Sequence, residues 1–339
     1  MDPKTLKLFS TCPQSKDHTG QSYRAVVEEC SQWSERQGFK GMLIYTDNSL
    51  VDPWMMAQIV LEATESLQPL VAVQPVYMHP YSAAKMVATL GFIHRRKVAL
   101  NLVAGGFRND LLALGDDTPH DDRYTRVVEY AHILLGLLRG DEPVSFEGKY
   151  YQARNLRMVP ELPPDLFPDV MLSGSSQAGL DAARTLAATA IRYPQDPEKD
   201  APWPRADGVA TGLRVGIIAR ETSEAAWDEA WTRFPDDRRG EITRQLATRT
   251  SDSRWHLALA ESAPNDPLAT DRPASPYWLH PFQQYHTNCP YLVGSYDEVA
   301  AELSNYTSLG DRTMIVDIPH EENDLATVTR VVERLAEAP

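Results

Sequence analysis

Two strand-to-helix junctions hold the side chains best suited to chemistry. In the first, the run NLVAGG (101–106) ends an apolar stretch, and His120 and Tyr124 follow at the start of a helical pattern, four residues apart. Residues at that spacing share a helix face. An imidazole and a phenol placed so can donate to a phosphate or a ring oxygen. A capping histidine beside a half-buried tyrosine fits the same spacing. In the second junction, SGSS (173–176) precedes a helix beginning near Gln177. Gly174 allows close backbone approach, Ser175 and Ser176 supply hydroxyls, and the helix amides and positive dipole end face the loop. That describes an anion site, or an ordinary N-cap turn. Asn101 can both donate and accept, and a buried amide needs partners. A heteroaromatic ligand edge would serve, and so would a neighbouring loop.

These groups need strands to hold them. Strand-like runs fall at 6–10, 41–46, 70–73, 97–103, 169–172, 186–191, 213–219 and 314–318. Helical patterns separate almost all of them. Asp52-Pro53 opens one helix, with Asp as N-cap and Pro at the first position. Thr222 caps another, and Ser295 with Glu298 forms a capping box. The alternation implies a parallel sheet, and eight such units imply a closed (β/α)8 TIM barrel. A doubly wound sheet usually carries G-x-G-x-x-G after its first strand, and none stands here. Residues 144–155 suggest a small hairpin outside the repeat. The stretch 193–208 holds four prolines, so the sixth helix should be reduced or missing. Residues 235–292 read as an insertion, expected to lie as a lid over the mouth of a single 1–339 barrel.

In such a barrel the site lies at the carboxyl ends of the strands. The polar residues there are Thr46, Asp47, Gln74, Asn101, Ser173 to Ser176, Arg192, Arg220 and His320. Within the insertion, His280, Tyr285 and His286 could reach a substrate. Arg108 and Asp110 read as a structural ion pair. No histidine pair has metal-ligand spacing, and neither a GxSxG elbow nor a Cys-His signature occurs. No metal is therefore expected.

The chain has 339 residues, with a net charge of −14. That charge argues against a nucleic-acid partner, which needs a basic face. Cys12, Cys30 and Cys289 form no metal-like or paired spacing and read as reduced thiols. The polar start lacks a signal-peptide pattern, and no run approaches membrane-spanning length. These features give a cytoplasmic expectation.

Taken together, several segments resemble the bacterial luciferase-like flavin-dependent monooxygenases, nearest the alkanesulfonate monooxygenase branch. They are GFKGMLIYTDNSLVDPW (38–54), 70–75 through 101–106, H-x-x-R-Y (120–124), V-x-F-x-G-K-Y-Y (144–151), SGSS, ARET with AW (219–227) and LVGSYDEVA (292–300). The resemblance implies a (β/α)8 barrel using reduced FMN (FMNH2) and O2. A separate NAD(P)H:flavin reductase would deliver the flavin, and a C4a-(hydro)peroxide would oxygenate a small organic substrate. It further implies that Asn101, Thr46 and Asp47 contact the isoalloxazine. His120, Tyr124, Ser175 and Ser176 would hold the ribityl phosphate, with Gly174 in that loop. The bond between Val73 and Gln74 falls where such proteins often carry a non-proline cis peptide. A homodimer through the helices near Asp52 and Ser82 is implied as well. The alkanesulfonate enzymes carry a cysteine at Leu50, a histidine near Gly216, an arginine near Tyr285 and His286, and a tyrosine near Ile318. Those substrate-side departures predict the same oxygen chemistry on a different molecule. His280, His286 and Arg214 are the candidates for acid or base. The alternatives are an F420-dependent oxidoreductase of the same superfamily and a flavin-binding protein without catalysis.

Overall fold

Eight apolar runs, buried on both faces, close a parallel barrel in the computed structural model, as expected of strands covered by helices. The structure describes residues 6–105, 107–196, 208–250, 259 and 275–337. The barrel strands are β1 (Lys7–Thr11), β2 (Gly41–Ile44), β3 (Gln68–Val73), β4 (Ala99–Val103), β7 (Val170–Ser173), β8 (Thr189–Arg192), β9 (Thr211–Arg220) and β12 (Asp311–Val316). They pair in that order, and β12 returns to β1 with Phe9 opposite Ile315. Between β4 and β7, strands β5 (Val144–Glu147) and β6 (Gln152–Leu156) make the separate hairpin.

Around the barrel lie α1 (Gly20–Arg36), α2 (Pro53–Ala63), α3 (Pro80–His94), α5 (His120–Arg139), α6 (Gln177–Leu186) and α7 (Ser223–Arg233). The short α4 (Arg108–Ala113), which periodicity does not announce, occupies the loop after β4. Local chemistry sets the helix starts. The Asp52 carboxylate accepts from the N–H groups of Trp54 and Met55 at 2.9 and 3.1 Å. Thr222 accepts from Ala225 at 3.2 Å. The capping box of Ser295 and Glu298 starts α10 (Tyr296–Ser308), and α11 (Glu322–Glu337) ends the chain. Inside the barrel, Phe9, Leu43, Leu70, Ala99, Met171, Ile191 and Ile315 pack as one layer, one residue from each of seven strands.

In its described parts the insertion extends the sheet. Its described parts are α8 (Arg238–Thr250), β10 (Tyr277–Trp278), α9 (His280–Gln283) and β11 (Tyr291–Ser295). β11 was not legible as a strand. It lies parallel to the outer half of β9, from Tyr291 opposite Gly216 to Ser295 opposite Arg220, and β10 adds antiparallel to it. The cause is the length of β9. Only Thr211–Val215 pairs with β12, so five residues leave the barrel with backbone groups that need a neighbour. Trp227, Phe234, Trp278, Tyr291 and Val293 fill a second core beneath this annex. The middle of the insertion, 251–258 and 260–274, lies outside the described residues.

Two further expectations meet the structure. No helix stands at 193–196 or 208–210, while 197–207 lies outside the described residues. The Val73–Gln74 bond is not cis; among the described residues the cis bond is Val159–Pro160. The chain leaves β3 instead through a turn, in which Tyr77 N–H donates to the Gln74 carbonyl at 3.1 Å. Among the described residues no helix is long and apolar enough to cross a membrane.

One ion pair ties the closing strands. Arg192, ending β8, reaches across β9 to Asp311 on β12 at 3.0 Å, with side-chain exposures of 5% and 3%. Arg192→Met should leave the Asp311 charge buried and uncompensated, costing about 3–5 kcal/mol. Urea denaturation followed by fluorescence checks this, with a lowered midpoint expected.

Candidate active site

The strand ends converge on a cleft of about 1150 Å³, counting the part open to solvent. Thr46, Asp47, Gln74, Asn101, His120, Tyr124, Gly174 and Arg214 all line it. Val73 does not; it is buried within β3. Ser175 and Ser176 lie outside the lining.

Asn101 is the best-defined polar group in the cleft. It sits on β4, 4% exposed. Ser173, at the end of neighbouring β7, donates its hydroxyl to Asn101 Oδ1 at 2.9 Å. That bond fixes the amide, and among the described residues Nδ2 has no acceptor. The strand pairing sets this geometry, because Asn101 stands opposite Met171 and Val103 opposite Ser173.

Beside it, Tyr124 fills the space left by Gly174. A Cβ at Gly174 would lie 2.2 Å from Tyr124 Oη, and the residue has φ +149, a conformation that favours glycine. The His120 ring meets the Tyr124 ring edge-on at 5.3 Å. Its Nδ1 is 2.7 Å from Asp121 Oδ1, which holds the ring at the cleft edge. Ser176 is the N-cap of α6, accepting from Gly179 N–H at 3.1 Å.

On the opposite wall, Asp47 Oδ1 accepts from the Ser49 amide and hydroxyl at 2.7 and 2.6 Å. Thr46 Oγ1 donates within the same turn at 3.3 Å. Asn48 then bonds Asp110 of α4. This corrects the Arg108–Asp110 pair: Asp110 is held by Asn48, and Arg108 is exposed.

Arg214 rises from β9 into the interior, 6% exposed. Its guanidinium lies over the Tyr45 ring at 5.5 Å. An arginine stays protonated in proteins, so an acid or base role does not suit it; binding an anion does. Burial pushes the Tyr45 phenol up, and the Tyr193 phenol up to about 12. Both are neutral hydroxyls at ordinary pH.

His280 and His286 are not in the cleft lining. His280 stacks on Trp278 at 5.3 Å and meets Trp231 at 4.7 Å, and burial pulls its pKa down. His286 Nε2 lies 3.3 Å from the Pro235 carbonyl. Both belong to the annex, where ring packing and a backbone contact hold them. The strand-end residues Arg192 and Arg220 also serve structure: Arg192 in its ion pair, and Arg220 beside Glu229 at 3.7 Å.

Among the polar and aromatic residues of the lining, four escaped the sequence reading: Tyr45, Phe107, Tyr193 and Asn288. Tyr45 and Tyr193 directly follow β2 and β8. An aromatic residue at that point reads as core, although its position one step past the strand is a usable signal. Asn288 comes from the insertion, and its place depends on β11. Among the described residues no group of three metal-ligating side chains occurs.

A family model described as luciferase-like monooxygenase matches residues 5–313. The chain is 31% identical over 338 residues to the 4-(gamma-L-glutamylamino)butanoyl-[BtrI acyl-carrier protein] monooxygenase BtrO of Niallia circulans, covering 98% of each chain. Among solved structures, it superposes on the long-chain alkane monooxygenase LadA with a TM-score of 0.72 at 15% identity, covering 98% of this chain and 91% of that one. An F420-dependent secondary alcohol dehydrogenase matches with a TM-score of 0.63 at 14% identity, covering 99% of both. These two structural likenesses concern the fold. The extent of the family match and the near full-length relative agree with the barrel and its cleft: the chain belongs to the luciferase-like monooxygenase family.

Proposed function

We propose that this protein is an FMNH2-dependent monooxygenase that oxygenates an acyl chain borne by a carrier protein. A separate NAD(P)H:flavin reductase would supply the reduced flavin. The observation that carries the cofactor reading is Asn101, a cleft-lining residue whose amide oxygen is held by the Ser173 hydroxyl, which leaves its N–H donors for a ligand. The substrate class is suggested by the relative that acts on a carrier-bound butanoyl group.

The residues present fit a flavin. Asn101 offers donors to a heteroaromatic edge, with Thr46, Asp47 and Gln74 on the neighbouring strand ends. His120, Tyr124 and Ser175 surround the start of α6, whose amides and dipole favour phosphate. The Ser176 hydroxyl accepts from Gly179, so its contribution there is the cap together with its own proton. A bound reduced flavin supplies the electrons that activate O2. The chain itself positions the groups and excludes water. Leu43, Val103, Ala104 and Ile315 make the cleft walls apolar, and Asn288 carries the insertion to the opening. Arg214 would bind an anionic oxygen of the substrate, and the protonated Tyr193 phenol would donate to a carbonyl.

Two further readings accompany this one. A homodimer would bury the exposed Met55 of α2 with Phe92 and Ile93 of α3. The three cysteines are free and buried, which suits a reducing cytoplasm.

Flavin titration tests the cofactor. Binding of FMN or FMNH2 is expected, and none below roughly 100 μM, about −5.5 kcal/mol, would overturn it. Turnover of a carrier-bound acyl thioester with a flavin reductase and O2 should release one oxygenated product. Turnover with F420 alone would instead favour hydride transfer. Asn101→Ala should weaken FMN binding about 10-fold, or about 1.4 kcal/mol, read by flavin fluorescence.

Gly174→Ala should act through Tyr124. The added methyl must displace the phenol, and FMN affinity should fall by more than about 10-fold, over 1.4 kcal/mol. Ser176→Ala should cost about 1 kcal/mol of stability through the lost cap and less of the flavin affinity. Equal affinity losses in the two variants would contradict these assignments.

A further inference from the structure

Arg214 is held more loosely by its carboxylate than Arg192 or Arg233 is by its own. Arg192 closes on Asp311 at 3.0 Å, and Arg233 on Asp324 at 2.8 Å. The nearest carboxylate oxygen to Arg214 is Asp317 Oδ1, at 3.8 Å from Nη2. Its Nη1 is 3.5 Å from Thr11 Oγ1, a hydroxyl that itself donates to the Val316 carbonyl. A guanidinium has five N–H donors in a planar fork, and these two long contacts leave most of this one's capacity unused on a residue that lines the cleft.

Asp317 could close that gap, because it follows β12 directly and its side chain is 10% exposed. Tyr291 holds it back. The Tyr291 hydroxyl donates to Asp317 Oδ2 at 2.8 Å, and the buried Cys289 thiol lies near the same carboxylate. Tyr291 reaches Asp317 because its ring lies flat over Gly216. A Cβ at Gly216 would stand 2.3–2.4 Å from three ring atoms. Register sets the overlap, since Tyr291 is the direct partner of Gly216 across the β9–β11 pairing.

We propose that Tyr291 and Asp317 are positioning residues: Tyr291 restrains the Asp317 carboxylate so that Arg214 stays open to an anionic oxygen of the substrate, and Gly216 makes room for the ring that does so. The proposal deepens the reading of the cleft as a substrate site and rests on it. It also gives the annex a role, because β11 delivers Tyr291. The substrate class it names carries a carboxylate or similar anion at the end that enters the barrel. A γ-glutamyl head is one such group.

Phenylglyoxal labelling of Arg214, read by peptide mass spectrometry on the full-length protein, tests it without flavin, O2 or thioester. Tyr291→Phe keeps the ring over Gly216 and removes only the hydroxyl. Asp317 should then close on Arg214, and labelling should slow at least about threefold, as a buried carboxylate–guanidinium pair forms. Asp317→Asn removes the charge that would close the pair, so this variant should label at least as fast as the parent. In the double variant Tyr291→Phe/Asp317→Asn the rate should return to within about twofold of the parent. Recovery of this kind is not expected from a purely structural tyrosine. Glutarate, a dicarboxylate probe, should protect Arg214 in the parent protein. Parent-like labelling of Tyr291→Phe, a double variant that stays slow, or no protection by glutarate would each overturn the proposal. Thermal unfolding run alongside identifies any variant that fails to fold. If labelling follows the expected pattern while carrier-bound thioesters are not oxygenated, the substrate reading fails and the Arg214 assignment stands.

Discussion

The length of β9 is the constraint on which the rest of the site depends. Half of the strand closes the barrel against β8 and β12, and half projects beyond it. A projecting strand carries unpaired backbone groups, which a neighbour must satisfy. β11 meets that need, β10 caps β11, and Trp227, Phe234 and Trp278 fill the space below. The pairing fixes where the end of the insertion can go. Asn288, Cys289 and Tyr291 therefore arrive beside the cleft as a consequence of hydrogen bonding along one edge.

Legibility followed the physics of each element. The barrel could be read because buried parallel strands are apolar runs and their helices carry explicit caps, such as Asp52-Pro53 and Ser295 with Glu298. Thr46, Asp47, Gln74 and Asn101 could be placed because each directly follows, or interrupts, such a run. β11 could not. LVGS is short, it holds a glycine, and only the overhang of β9 makes it a strand. The histidines of the insertion were misplaced for a related reason: a segment without periodicity does not say which way its side chains face, and Trp231, which His280 meets, lies far from it in sequence. Arg108 and Asp110 looked paired on charge alone, whereas Asp110 is claimed by Asn48 from another strand end. The Val73–Gln74 bond was an inference from resemblance, and the turn after β3 is made by trans backbone.

The two sides of the cleft differ in electrostatic character. Toward β4 and β7 the groups are uncharged donors and a helix start: an amide, hydroxyls and the first amides of α6. Toward β9 and β12 there is a formal charge pair surrounded by phenols that burial keeps protonated. Neutral donors accept a partner with little desolvation cost, while a loosely paired cation in a dry wall discriminates by charge. The two sides are thus suited to partners of different charge.

The layer formed by Phe9, Leu43, Leu70, Ala99, Met171, Ile191 and Ile315 has its own consequence. Three of its members, Leu43, Ile191 and Ile315, also line the cleft. Each comes from a different strand, so each can shrink or grow without moving the others' backbones. This apolar part of the lining is thus set by side chains from three separate strands. A change of side-chain volume in this layer would reshape the cleft and leave the rim and its polar groups untouched.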